Sequence, residues 1–140
     1  MKRGTWYVIG LMSGTSQDGL DIAYIKFTNS DHLCYEIIHA TTLPYSDDWK
    51  SKLRNAYFAS AVEITKLNAD YGRFLGEKVL EFTNAYAIDK IDFVASHGQT
   101  IFHNPSQGYT LQIGNGASLA ATCNLKVICD FRTQDVALGG

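Results

Sequence analysis

No run of apolar residues in this chain approaches the roughly 20 that a membrane-crossing helix needs, so a spanning helix has no candidate segment. Blocks of lysine and arginine are missing as well. Twelve basic residues stand against 14 acidic ones, for a net charge of −2, and nucleic acid finds no electrostatic footprint. There is no Cys-x-x-Cys pair. Cys34, Cys123 and Cys129 are widely spaced and odd in number, which reads as reduced thiols in a cytoplasmic chain, with Cys129 a small core residue on a strand. The phosphate loop Gly-x-x-x-x-Gly-Lys-Ser/Thr is absent, and no dinucleotide Gly-x-Gly-x-x-Gly occupies the N-terminal turn. No Gly-x-Ser-x-Gly elbow supports a serine nucleophile. His97 and His103 do not have the spacing of a helical zinc site, and no cysteine lies close to them in sequence. The basic start, Met1 to Gly4, is followed by an apolar stretch too short for a signal peptide.

What is present suits one folded domain. The chain has 140 residues, of which 46% are hydrophobic and 19% charged, enough to bury a core. Three apolar, β-branched and aromatic runs come first, Trp6–Leu11, Asp21–Phe27 and Leu33–Thr41, joined by short turns. They predict an antiparallel meander. After Pro44 the period changes. Ser46 caps a helix with Trp49, Leu53, Ala56 and Tyr57 on one face. Ser60-x-x-Glu63 is a capping box opening a longer helix, whose Ile64, Leu67, Tyr71, Phe74, Leu75, Phe82 and Tyr86 share a side. Gly72 and Gly76 mark a place where that helix packs closely. Ile91–Ser96 and Tyr109–Gln112 read as strands, Ala117–Thr122 as a small-residue helix, and Leu125–Cys129 as a last buried strand. This order predicts an α/β domain with a mixed sheet and flanking helices.

Polar chemistry collects where the apolar runs end, and strand ends are where open α/β sheets bind ligands. The turn from Met12 to Asp21 carries two glycines, hydroxyls and two carboxylates, a composition that can close around an anion. The plain alternative is an ordinary turn, which uses the same residues. Ser96-His97-Gly98-Gln99-Thr100 ends one strand and resembles a polar ligand pocket, or else holds a structural histidine. Asp130 and Arg132 follow the last strand, on one side of it if the strand continues. They read either as an internal ion pair or as a carboxylate base beside an arginine that positions an anionic group.

Taken together, three clusters resemble the anhydro-N-acetylmuramic acid kinase family. They are Gly10-Leu11-Met12-Ser13-Gly14-Thr15-Ser16-x-Asp18-Gly19-x-Asp21, Ser96-His97-Gly98-Gln99-Thr100, and Gln112-Ile113-Gly114 with Asp130-Phe131-Arg132-x-x-Asp135-Val136-Ala137-x-Gly139-Gly140. The resemblance implies the actin-like and sugar-kinase ATPase superfamily, and hence a ribonuclease-H-like domain with three N-terminal antiparallel strands. Members open the internal ether of 1,6-anhydro-N-acetylmuramic acid with water and phosphorylate the freed 6-hydroxyl from ATP, giving N-acetylmuramic acid 6-phosphate in cell-wall recycling.

Carried onto this sequence, the resemblance implies that Gly14, Thr15, Ser16, Gln17, Asp18, Gly19, Leu20 and Asp21 bind the ATP phosphates, with Mg²⁺ near Asp18. Asp130 matches the base position. His97, Gln99, Thr100, Gln112, Arg132 and Asp135 are implied to line the sugar pocket. Family members are more than twice as long. Residues 1–140 are therefore expected to be the N-terminal domain of a two-domain kinase, inactive without its own C-terminal domain. The remaining expectations are a cytoplasmic protein with no nucleic-acid or membrane partner. A homodimer of the full-length protein is also among them, since family members often dimerise. The competing readings are a sugar kinase without ring hydrolysis and a non-catalytic actin-like module.

Overall fold

The computed structural model of the chain describes residues 4–14 and 18–140. Seven strands and four helices follow in the order β1 (Gly4–Ser13), β2 (Gly19–Asn29), β3 (Leu33–Pro44), α1 (Asp47–Asn55), α2 (Ala61–Ala85), β4 (Phe93–Ser96), β5 (Gln99–Asn104), β6 (Tyr109–Ile113), α3 (Gly116–Cys123), β7 (Val127–Cys129) and α4 (Phe131–Ala137). Five strands form a mixed sheet in the order β3-β2-β1-β4-β7. β1 pairs antiparallel with β2 and β2 with β3, while β4 runs parallel to both β1 and β7. β5 and β6 form a separate antiparallel hairpin.

The sheet has two different faces because its side chains alternate. Ile9, Leu11, Leu20, Ile22, Tyr24 and Val94 point to one face and join Tyr71, Leu75, Val79 and Phe82 of α2 in the core. Each core residue removed from water contributes roughly 1.5–3 kcal/mol, which is what holds a long helix to this face. The opposite face carries Trp6, Val8, Phe27, Phe93 and Ala95 around an open hollow of about 410 Å³.

Local sequence explains the helix starts. Ser46 Oγ accepts from the Trp49 N–H at 3.3 Å. The capping box is complete: Ser60 Oγ accepts from the Glu63 N–H at 3.3 Å, and Glu63 Oε2 accepts from the Ser60 N–H at 2.8 Å. On α2, Asn68, Gly72 and Gly76 follow one another at four-residue steps and so share a stripe. α3 lies against that stripe. A Cβ on Gly72 would come within 2.4 Å of the Asn115 carbonyl oxygen, and one on Gly76 within 2.5 Å of the Thr122 Cβ. Only hydrogen fits there, so both glycines are set by helix packing.

Two elements differ from the sequence reading. β5 begins at Gln99, within the polar cluster read only as the end of the preceding strand; its backbone is drawn into a strand by pairing with β6. The last strand does not continue through Arg132. It ends at Cys129, Asp130 turns into the left-handed region with φ of 62°, and α4 starts at Phe131.

Candidate functional site

β4 and β7 run side by side and end together, with Ser96 paired to Cys129. The residues that follow, His97-Gly98 and Asp130, therefore emerge beside one another. The β6–α3 loop supplies the opposite wall. Between them lies a hollow of about 290 Å³ whose lining includes Ser96, His97, Gln112, Asn115, Asp130 and Thr133.

Each polar group of this wall is held differently. His97 Nδ1 lies 3.0 Å from the Gly98 carbonyl oxygen and donates to it, which leaves Nε2 as the acceptor. Gln112 Nε2 donates to Thr110 Oγ1 at 2.7 Å and to Thr100 Oγ1 at 3.2 Å. That fixes the amide so that its oxygen is the free end. Thr133 Oγ1 donates to Asp130 Oδ1. Asp130 is also one of few non-glycine residues with positive φ, a conformation that aspartate tolerates better than most but still at a cost. The floor is tied to α2: Asn68 Oδ1 accepts from the Gly114 N–H at 2.7 Å, and the Asn68 carbonyl accepts from the Asn115 N–H at 3.0 Å.

Two buried polar atoms lining the hollow, Ser96 Oγ and Gln112 Oε1, have no hydrogen-bond partner. Ser96 is only 1% exposed. Leaving such a group unsatisfied costs about 1–3 kcal/mol, so a ligand or an ordered water that reached them would be held there.

The hollow thus brings together His97, Gln112 and Asp130, with Thr100 bonded behind Gln112. Gln99 is 1% exposed and does not line it; its Oε1 accepts from Ser13 Oγ in the interior. Arg132 reaches His103, with Nη2 3.4 Å from His103 Nε2, and is not bridged to Asp130 among the described ion pairs. Asp135 lies outside the hollow; its carbonyl accepts from the Gly140 N–H at 2.9 Å. Asn68, Asn115 and Thr133 were not singled out from the sequence, and Ser96 only as the first residue of the strand-end cluster. Ser96 had a readable signal as a small polar residue closing an apolar strand, and Asn68 as the polar residue one turn before Gly72.

At the other expected site, Thr15, Ser16 and Gln17 lie outside the described residues. Asp18 is exposed, and its carbonyl oxygen accepts from the Tyr45 N–H at 3.3 Å. Asp21 Oδ1 accepts from Thr42 Oγ1 at 2.5 Å. Leu20 belongs to the core. Gly19 is buried, and a Cβ there would lie 2.6 Å from the Leu43 carbonyl oxygen, so the close approach of β3 alone requires glycine. Among the described residues no cluster of three histidine, cysteine or acidic side chains could hold a metal. A lone carboxylate still fits Mg²⁺ carried by a nucleotide, because that ion keeps most of its ligands from phosphate and water. No helix among the described residues is long and apolar enough to cross a membrane.

A mixed α/β sheet with flanking helices and a polar cavity at the ends of its parallel strands is consistent with a sugar-kinase ATPase domain. The chain belongs to the anhydro-N-acetylmuramic acid kinase (AnmK) family, whose model matches residues 6–140. It is 39% identical over 147 residues to an anhydro-N-acetylmuramic acid kinase of Pseudoalteromonas translucida, covering 95% of this chain and 37% of that protein. It is 38% identical over 145 residues to the protein of that name from Bacillus thuringiensis subsp. konkukian, covering 96% of this chain and 38% of the relative. The chain therefore spans under two-fifths of the length of these relatives.

Proposed function

We propose that this chain is the phosphate- and sugar-binding domain, of ribonuclease-H-like fold, in a two-domain cytoplasmic kinase. The kinase opens 1,6-anhydro-N-acetylmuramic acid with water and phosphorylates its 6-hydroxyl from ATP, within cell-wall recycling. The observation that carries the reading is the cavity in which Asp130 lies beside two unpartnered buried polar atoms, Ser96 Oγ and Gln112 Oε1. Family membership supplies the substrate class.

In this reading the sugar fills the cavity and satisfies Ser96 and Gln112. His97 accepts a sugar hydroxyl proton through Nε2. Thr133 occupies one oxygen of Asp130, which aims the other at a water molecule. Asp130 takes the proton of that water as it forms the new bond to the anomeric carbon and the bridge C–O bond breaks. The freed oxygen attacks the terminal phosphoryl group, and ADP leaves. MgATP, held at the segment from Gly14 to Asp21 and by the second domain, supplies the phosphoryl group when bound. Phosphoryl transfer demands positioning and charge stabilisation more than covalent chemistry, which suits a domain with one strained carboxylate and many fixed amides. Arg132 and Asp135, which lie outside the cavity lining, would contact the sugar only if the second domain brought them toward it.

The test is ADP release by the complete polypeptide with Mg²⁺ and ATP, with and without the anhydro sugar. Sugar-dependent release giving a ring-opened 6-phosphate is the expected result. Release with ordinary open-ring sugars alone would replace the reading with a simple hydroxyl kinase. Silence with every sugar would leave a non-catalytic module.

A further inference from the structure

His103 stands opposite Thr110 in the β5–β6 hairpin, and the two side chains meet across it, with His103 Nδ1 3.2 Å from Thr110 Oγ1. Arg132, in the first turn of α4, reaches the other ring nitrogen: its Nη2 lies 3.4 Å from His103 Nε2. α4 packs against β6, so helix and hairpin are neighbours. His103 is exposed and does not line the cavity.

Counting protons fixes the tautomer of this imidazole. Thr110 Oγ1 has one proton and gives it to the Phe102 carbonyl at 3.2 Å. Its two lone pairs are left for Gln112 Nε2, at 2.7 Å, and for His103 Nδ1. Nδ1 therefore carries the ring proton. Nε2 is the acceptor, and Arg132 donates to it.

The effect of the contact follows from what Arg132 would otherwise touch. Asp130 is the carboxylate nearest to it in sequence. Asp130 has left-handed backbone and precedes α4, so helix spacing does not keep the two side chains apart. Yet no ion pair joins them among the described residues. Thr133 already donates to Asp130 Oδ1. A guanidinium on the second oxygen would occupy it and stabilise the negative charge, which makes the carboxylate a poorer acceptor for a proton.

We propose that His103 is a positioning residue: its Nε2 holds Arg132 against the hairpin and so leaves the second oxygen of Asp130 open to water. The proposal rests on the reading of Asp130 as the base.

The experiment compares His103→Ala, His103→Gln, Arg132→Gln and the double variant His103→Ala with Arg132→Gln, all in the complete polypeptide. ADP release at saturating ATP and anhydro sugar gives turnover. Calorimetry with the anhydro sugar counts the binding sites and gives their affinity. In His103→Ala, turnover per sugar-binding site falls about tenfold or more, while the dissociation constant for sugar changes by less than about twofold. His103→Gln keeps an acceptor for Arg132 and recovers turnover to within about threefold of wild type. With Arg132 already replaced by glutamine, His103→Ala costs nothing further, because no cation is left to hold. Near-normal turnover in His103→Ala, a glutamine variant no better than alanine, or losses that add in the double variant would overturn the proposal. So would a loss confined to the number of binding sites, which is what a merely structural role gives. Failure of the underlying reading shows separately, as wild-type protein without sugar-dependent ADP release or as Asp130→Asn with near-normal turnover, and either takes this proposal with it.

Discussion

The hydroxyls of Tyr45 and Tyr71 stand 2.6 Å apart inside the domain, and both phenols are held in the neutral form. Burial is the main cause for each, and it raises both above the ordinary value of 10.0. For Tyr45 the hydrogen bond accepted from Tyr71 offsets part of the rise; for Tyr71 the neighbouring Tyr45 adds to it. A group whose folded value is raised contributes stability that is complete below its unfolded value and lost as pH climbs toward the folded one. Urea midpoints should stay level up to about pH 9.5 and fall above pH 10. In Tyr71→Phe, titrated the same way, the alkaline fall should be shallower.

Ser13 gives its one hydroxyl proton to Gln99 Oε1, so Tyr45 donates to Ser13 and Tyr71 to Tyr45, which makes the two tyrosines unequal. Tyr71→Phe leaves an acceptor unused and should cost about 1 kcal/mol beyond packing, whereas Tyr45→Phe strands the Tyr71 donor and should cost about 1–3 kcal/mol. Chemical denaturation of the two variants at neutral pH checks the order.

Asp130→Asn keeps the left-handed backbone within reach of its side chain and can still accept from Thr133, but it cannot take a proton. In the complete polypeptide, turnover should fall by about 10²–10⁴ with sugar binding mostly intact. Near-normal turnover would remove Asp130 from the role of base. Calorimetry alongside the rate assay separates binding from chemistry.

Ser96→Ala removes a buried hydroxyl that has no partner in the free domain. The unliganded protein should be unchanged in stability or more stable by up to about 1 kcal/mol, while sugar affinity falls about tenfold. Thermal unfolding without ligand and calorimetry with the anhydro sugar give the two signs. A loss of stability without a loss of affinity would place the hydroxyl in the core and not in the site.

Gly76→Ala should destabilise the domain despite alanine's better helix propensity. The gain of about 1 kcal/mol is set against overpacking on Thr122 that costs about 1–3 kcal/mol, with helix movement as the alternative. The denaturant midpoint should fall with an unchanged slope.

The polar strand ends, the capping box at Ser60 and the aromatic side of α2 were legible because each is a local pattern with a local cause. Gly72 and Gly76 were legible as a close contact, although nothing local said that α3 was the partner. β5 was not readable, since His97 to Thr100 looks like a loop until β6 is placed beside it. The end of the last strand at Cys129 was legible, but α4 was not: Asp130 turns left-handed to start it, and no residue before it signals the change. Within the cavity, His97 and Asp130 could be named from their positions after strands, whereas Gln112, inside β6, could be named only through the family resemblance. Gln99 shares a cluster with His97, but strand alternation sends it inward to Ser13, and only the fold shows which way it turns.

Asn68 takes two successive amides of the β6–α3 loop, and Gly72 and Gly76 seat the helix that follows. The longest helix thus works as a measuring rod for the cavity floor. Each residue along it advances about 1.5 Å and rotates about 100°. Residues added to the hairpin tip between Asn104 and Tyr109 would leave the depth of the cavity untouched. One residue added within α2 between Asn68 and Gly76 would throw the loop anchor and the α3 seat out of register with each other. The tolerance of the domain to insertions is therefore set by distance from this helix face, and length variation among functional copies should avoid it.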